Sequence, residues 1–114
     1  MSDPVFPNDE NGEVLQRMWD DGDDLSVARD IDFNAIFLKR SGAQSFLKAV
    51  HSEGLAAGLS DELYDDKYFD VTVRRHMVPT HEGITQFEND LGALAERHGG
   101  TVEGWGCFQV DRAT

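Results

Sequence analysis

The stretch DIDFNAIFLKRSGAQSFLKAVHSEG, residues 30–54, decides the fold because it joins a clear strand to a clear helix. Over Asp30–Lys39 apolar side chains alternate, so one face of a strand is fully apolar and the other only partly so. Over Gly42–Glu53 apolar residues recur at helical spacing, with Ser41 as the predicted N-cap and Gly54 as the stop. The stretch therefore predicts a central strand with one face covered by helices.

The same patterns predict the remaining elements on both sides of this unit. An N-terminal helix is expected over Glu10–Asp21, capped by Asn8 or Asp9. On the C-terminal side the sequence predicts a weak strand near Leu55–Leu59, a strong strand over Tyr68–Val78, a helix that starts between Thr80 and Gly83, and a last strand over Thr101–Val110. This order predicts one α+β domain over residues 1–114. We expect a ferredoxin-like sandwich (βαββαβ) with a four-stranded antiparallel sheet and an additional N-terminal helix.

Composition excludes several classes of protein. The chain has 114 residues and a net charge of -12, so it lacks the basic face that nucleic acid or an anionic membrane requires. Its single cysteine, Cys107, excludes an intramolecular disulfide and a multi-thiolate metal site. The N-terminal residues show neither the basic region nor the apolar stretch of a signal peptide, so we expect a cytoplasmic protein.

The negative charge is concentrated in two zones. Residues 1–32 hold ten acids against two arginines, and residues 59–70 hold five acids against one lysine. The candidate partner-binding residues are the acids of these zones, Asp20, Asp21, Asp23, Asp24, Asp65 and Asp66. A contact surface for a cationic partner is one interpretation, and solvated turns and helix ends are the other.

No pattern of catalytic or metal-binding residues is present. The four histidines do not have metal-ligand spacing, and the acids around Gly22 do not match a calcium-binding loop. No nucleophile or phosphate-binding motif occurs, and Cys107 fits a packed thiol on a strand. We therefore expect a protein that is not an enzyme and has no cofactor.

The two tryptophans have different expected roles. Trp19 lies on the apolar stripe of the first helix, where a core position is expected. Trp105 lies between Gly104 and Gly106, which leave its strand bare. Such glycines mark a bulge or a close approach of another backbone, or they leave Trp105 as an exposed aromatic anchor for a partner.

Several segments together resemble the RraB family, the regulators of ribonuclease activity B. The most specific are DGDDL at residues 21–25 and GWG at residues 104–106, supported by IDF at residues 31–33, MVP at residues 77–79 and GG at residues 99–100. The resemblance covers residues 10–108. It implies a ferredoxin-like bacterial protein without catalytic residues that binds the arginine-rich, non-catalytic scaffold half of ribonuclease E and lowers RNA processing.

Two alternatives remain open at this stage. The partly polar face of the sheet could bind a small molecule through Asn34, Tyr68, Thr72, Arg74 and His76, with Arg74 holding an anion. A general protein-interaction module of this fold is the second alternative, and the oligomeric state stays open. A metal or thiol enzyme would require metal in the purified protein or a Cys107 thiol that reacts at neutral pH.

Overall fold

The computed structural model describes residues 4–113, which form three helices and four strands. The elements in chain order are α1 (Glu10–Asp20), β1 (Arg29–Phe37), α2 (Arg40–Ser52), β2 (Ala56–Leu59), β3 (Phe69–Met77), α3 (His81–Arg97) and β4 (Gly100–Gly106). Every element predicted from the sequence is present. Most ends agree within one or two residues, because periodicity defines an element's interior better than its ends. None of the helices in residues 4–113 is long and apolar enough to cross a membrane.

The four strands form one antiparallel sheet with the order β2-β3-β1-β4. This is the order that two interleaved strand-helix-strand units produce, so the ferredoxin-like α+β prediction is confirmed. Strand β1 is the central strand, and its nine residues pair with β3 from Arg29↔Met77 to Phe37↔Phe69.

The three helices cover one face of the sheet. On β1 the alternating residues Ile31, Phe33, Ala35 and Phe37 are all buried against the helices. The Phe33 ring packs edge-to-face on Phe87 of α3, with 4.7 Å between the ring centroids, and the centroids of Phe37 and Phe46 of α2 are 5.0 Å apart. Full burial of each such side chain stabilises the fold by about 1.5–3 kcal/mol. No helix of residues 4–113 lies on the other face, where the polar side chains of β1 and β3 are found.

Of the caps predicted for α1 and α2, only the first is present, and α3 has a cap that was not predicted. Asp9 caps α1 by accepting a hydrogen bond from the Gly12 N–H, and Thr80 caps α3 by accepting from Gly83 N–H. The prediction that Ser41 caps α2 is wrong, because the helix begins at Arg40 without a side-chain cap. Gly42 lies in its first turn, where a Cβ atom would collide with the carbonyl oxygen of His98, so this turn is packed directly on the end of α3.

Strand β4 is shorter than predicted and contains a bulge. It ends at Gly106, not near Val110, because residues 107–113 leave the sheet and pair with the loop after α1. The register shifts between Asn34 and Ala35 of β1, which leaves Glu103 as the additional residue of β4. A bulge beside Gly104 is one of the two structural roles that the sequence predicts for the glycines around Trp105.

Candidate functional site

The first acidic zone divides into exposed and buried residues. Asp20 and Asp21 lie at the C-terminal end of α1 and are exposed. Asp23, two residues further on, is only 1% exposed, and its carboxylate forms an ion pair with Arg29 at 2.8 Å. Asp23 therefore does not lie on the surface, and its predicted role as a partner contact is corrected to a structural one.

Arg29 is the centre of this buried arrangement. Its Nη1 donates to Asp23 at 2.8 Å and to the Phe108 carbonyl at 3.1 Å, and its Nη2 donates to the Asp24 carbonyl at 2.7 Å. A buried guanidinium requires a counter-charge and acceptors for its donors, and this loop supplies both. Sequence reasoning missed Arg29 because no local spacing links it to an acceptor 79 residues away.

Asp24 is half-buried and holds the turn that follows. Its carboxylate accepts from both the hydroxyl and the backbone N–H of Ser26, and these bonds lower the pKa of Asp24 below its ordinary value. Its own N–H donates to the Val110 carbonyl at 2.6 Å. The DGDDL segment is thus largely an anchor between β1 and the C-terminal residues.

The C-terminal segment closes over the same loop. Asp111 pairs with Asp23 in an isolated β-bridge, and the Arg112 N–H donates to the Gly22 carbonyl. The Arg112 guanidinium lies 3.8 Å from the centroid of the Trp19 ring and donates to the Trp19 carbonyl. Trp19 therefore lies outside the main core, and Arg112 covers its ring. The prediction that Trp19 is a core residue is wrong.

The second acidic zone forms a tight exposed turn. Asp65 and Asp66 have positive φ angles of 55° and 53°, and the Lys67 N–H donates to the Tyr64 carbonyl across them. Two left-handed central residues define a type I′ turn, a conformation that aspartate tolerates. Both carboxylates face solvent, as a contact surface requires.

The acidic turn after α1 and the acidic turn before β3 lie near opposite ends of the central strand. Asp23 contacts Arg29 at the start of β1, whereas Tyr68 precedes the residue that pairs with Phe37 at its end. Nine residues of extended chain separate these points by roughly 26 Å. An extended polypeptide can span this length of the sheet.

Trp105 is half-buried on the helical side of the sheet. It lies opposite Phe33, packs against the core, and donates its indole N–H to Asn11 of α1 at 2.8 Å. Trp105 is therefore not exposed in the way that an aromatic anchor for a partner would be. Gly104 and Gly106 lie on the uncovered face, where a Cβ atom on either would meet nothing within 4 Å.

The polar residues of the uncovered face are paired across the strands. Arg74 donates to both carboxylate oxygens of Asp32, at 2.8 and 3.2 Å. His76 contacts Asp30 at 3.0 Å through Nδ1, and Asn34 donates to Thr72 at 3.0 Å. The structure confirms that these residues share one face.

Arg74 is already engaged by a carboxylate. The hydrogen bonds and charge of Asp32 raise the pKa of Arg74 above its ordinary value. An anionic ligand would have to displace Asp32, so the geometry disfavours the predicted anion site on Arg74.

The remaining chemically reactive side chains lie apart. Burial raises the pKa of the Cys107 thiol, which favours the neutral form over the nucleophilic thiolate. His81 contacts Asp9 at 2.8 Å, whereas His76 contacts Asp30, so the two histidines do not share a site. Within residues 4–113 no group of three or more His, Cys, Asp or Glu side chains is placed to hold a metal ion.

The fold and surface define a small acidic α+β domain with ferredoxin-like topology and one uncovered polar sheet face. A protein-family model described as RraB, Regulator of ribonuclease activity B, matches residues 8–107, and the chain belongs to this family. The family description is that of a regulator, not of a catalyst. A comparison with curated proteins gives no match.

Proposed function

We propose that this protein regulates RNA processing by binding the arginine-rich scaffold half of ribonuclease E, without catalysing a reaction itself. Its family is that of regulators of ribonuclease activity, which supports the class of function. The choice of a basic partner segment rests on one observation, the excess of exposed carboxylates. The chain has 22 acidic against 10 basic side chains, and only two acids of residues 4–113 pair with an arginine or lysine.

This excess gives a physical route to binding. Most of the carboxylates lie in water without a cation beside them, so an arginine-rich segment gains charge-assisted hydrogen bonds at little desolvation cost. The proposed contacts are the predicted acids that lie at or near the surface, Asp20, Asp21, Asp24, Asp65 and Asp66. Trp105 is left out because it packs against the core and Asn11 holds its indole N–H. Asp23 is left out because Arg29 occupies it.

The first test is a titration of the protein with the scaffold region of ribonuclease E from the same organism. Affinity should fall steeply between about 0.1 M and about 1 M salt, because the Debye length shrinks from about 10 Å to about 3 Å. Binding that is absent at both salt concentrations, or that does not depend on salt, would overturn the proposal.

The second test removes charge without disturbing the fold. In the double variant Asp65→Asn with Asp66→Asn, asparagine tolerates the positive φ angles of this turn as aspartate does. The loss of both charges should weaken binding roughly two- to tenfold. The matched control is Glu53→Gln with Glu96→Gln. It removes the same charge from exposed helix ends outside both acidic zones. Equal weakening by the two pairs would mean that total charge, not the acidic turn, determines affinity.

A further inference from the structure

The uncovered face of the sheet contains a groove that no side chain of the described residues fills. It has a volume of about 620 Å³ and runs along the side of β1 that faces β4. Gly104 and Gly106 form part of its floor, and Asp30, Glu103, Tyr64 and Phe108 stand around it.

The two glycines keep the floor of this groove open. Neither has a positive φ angle, so the backbone conformation does not require glycine. Neither makes a close contact that a Cβ atom would disturb. What their missing side chains provide is space over the sheet, and a glycine in a strand is typical of a site where another chain approaches closely.

Phe108 at the end of the groove is the most exposed aromatic side chain described. Its residue is 91% exposed, although its carbonyl oxygen is fixed by the buried Arg29 at 3.1 Å. The backbone of Phe108 is therefore held in place while its ring is exposed to solvent. The ring contributes none of the free energy that burial of an aromatic side chain would give to folding. Tyr64, 49% exposed, provides a second accessible ring. A rigidly presented aromatic side chain is typical of a binding anchor.

The charge of the groove selects a cationic occupant. Among the described residues the Glu103 carboxylate has no hydrogen-bond or ion-pair partner. The Asp30 carboxylate has only His76, which carries charge only when protonated. The one arginine in the groove, Arg74, is already paired with Asp32. A guanidinium fits this setting because it pairs with carboxylates and also stacks on aromatic rings.

We infer that this groove, formed by Asp30, Glu103, Gly104, Gly106, Tyr64 and Phe108, binds an extended arginine-containing segment of a partner protein. Its guanidinium groups pair with Asp30 and Glu103 and stack on Phe108 and Tyr64, while its backbone passes over the two glycines. The inference deepens the proposed function and rests on it for the identity of the partner. It differs in placing the central contact on the sheet face, between the acidic turn after α1 and the acidic turn before β3.

The decisive variant fills the groove without weakening the fold. Gly106→Val adds a side chain of high strand propensity where there is open space, so the melting temperature should stay equal or rise. Gly58→Val is the matched control, since Gly58 lies on the same face of edge strand β2, outside the groove, and is equally unobstructed. Phe108→Ala, with exposed Leu38→Ala as its control, removes the anchor instead.

The probes are the ribonuclease E scaffold region and an end-blocked peptide of alternating arginine and glycine. Gly106→Val should weaken the binding of both at least tenfold and Phe108→Ala several-fold, whereas Gly58→Val and Leu38→Ala should bind like the wild type. If both probes bind wild type and Gly106→Val alike, the charge acts elsewhere and the groove inference is overturned.

The two probes separate this inference from the proposed function. If the scaffold region binds equally to wild type and Gly106→Val, the groove inference fails while the proposed function stands. If only the arginine peptide binds, and Gly106→Val abolishes that binding, the groove stands and ribonuclease E is not the partner. If neither probe binds the wild type, both are wrong.

Discussion

Two ion pairs of the sheet have the same length and opposite surroundings. Arg29–Asp23 and Arg74–Asp32 each bring nitrogen and oxygen to 2.8 Å. The side chains of the first pair are 6% and 1% exposed, and those of the second are 53% and 38% exposed. Water can replace either partner of the exposed pair, but neither partner of the buried pair. Burial, not distance, therefore decides which of these ion pairs holds the fold together and which exchanges with solvent.

Breaking the buried pair should give the largest effect on stability. Asp23→Ala leaves the Arg29 guanidinium buried without its counter-charge, and the free energy of unfolding should fall by about 3–5 kcal/mol. Urea denaturation measures the change. The control Asp21→Ala, at an exposed neighbouring position, should change it by less than about 0.5 kcal/mol. A loss below about 1 kcal/mol for Asp23→Ala would contradict the importance of burial.

A third pair, Asp9–His81, adds an intermediate case. Gly12 N–H and His81 both lower the pKa of Asp9 below its ordinary value of 3.8. A carboxyl group whose pKa is depressed in the folded state stabilises above its unfolded pKa, and this contribution is lost as the pH falls through the folded value. Asp9→Ala should therefore lower the melting temperature by a few degrees near neutral pH, and the difference from wild type should shrink below pH 3.8.

A conservative variant separates the two roles of Asp9. Asp9→Asn keeps an oxygen that can accept from Gly12 N–H but removes the charge beside His81, so its loss in melting temperature should be smaller. Thermal melts of the three proteins across the acidic range measure both effects. A difference between wild type and Asp9→Ala that stays constant with pH would show that the charge of Asp9 contributes nothing.

The exposed pair should give the smallest effect. Arg74→Met and Asp32→Asn, singly or together, should shift the melting temperature by about a degree or less, because solvent screens both partners. The same melts at high salt should show no further change. A shift as large as that of Asp23→Ala would mean that this pair is shielded from solvent, and the contrast between the two pairs would disappear.

The sequence predicts the fold of this chain well because the patterns that define it are local. Alternation over residues 30–39 and the helical stripes report burial within a few residues of one another. The ferredoxin-like order follows from those elements alone, and the caps at Asp9 and Thr80 depend on residues three positions away.

The candidate site is predicted less well because its geometry depends on distant contacts. Asp23 and Asp24 look alike in sequence, but the carboxylate of Asp23 is buried and accepts from the Val110 N–H, 87 residues away in the chain. The two tryptophans depend on equally distant contacts, since Asn11 fixes Trp105 from 94 residues away and Arg112 covers Trp19 from 93. Charge counts locate acidic zones, but they do not show which acids already have a partner.

The bulge at Glu103 affects how copies of this protein behave at high concentration. Strand β4 is an edge of the sheet, and an unpaired edge is a template on which another chain can add a strand and begin to aggregate. The extra residue interrupts the regular row of donors and acceptors midway along β4, and the opposite edge, β2, has only four residues. Neither edge offers a long regular template, so the sheet is protected against edge-to-edge polymerisation.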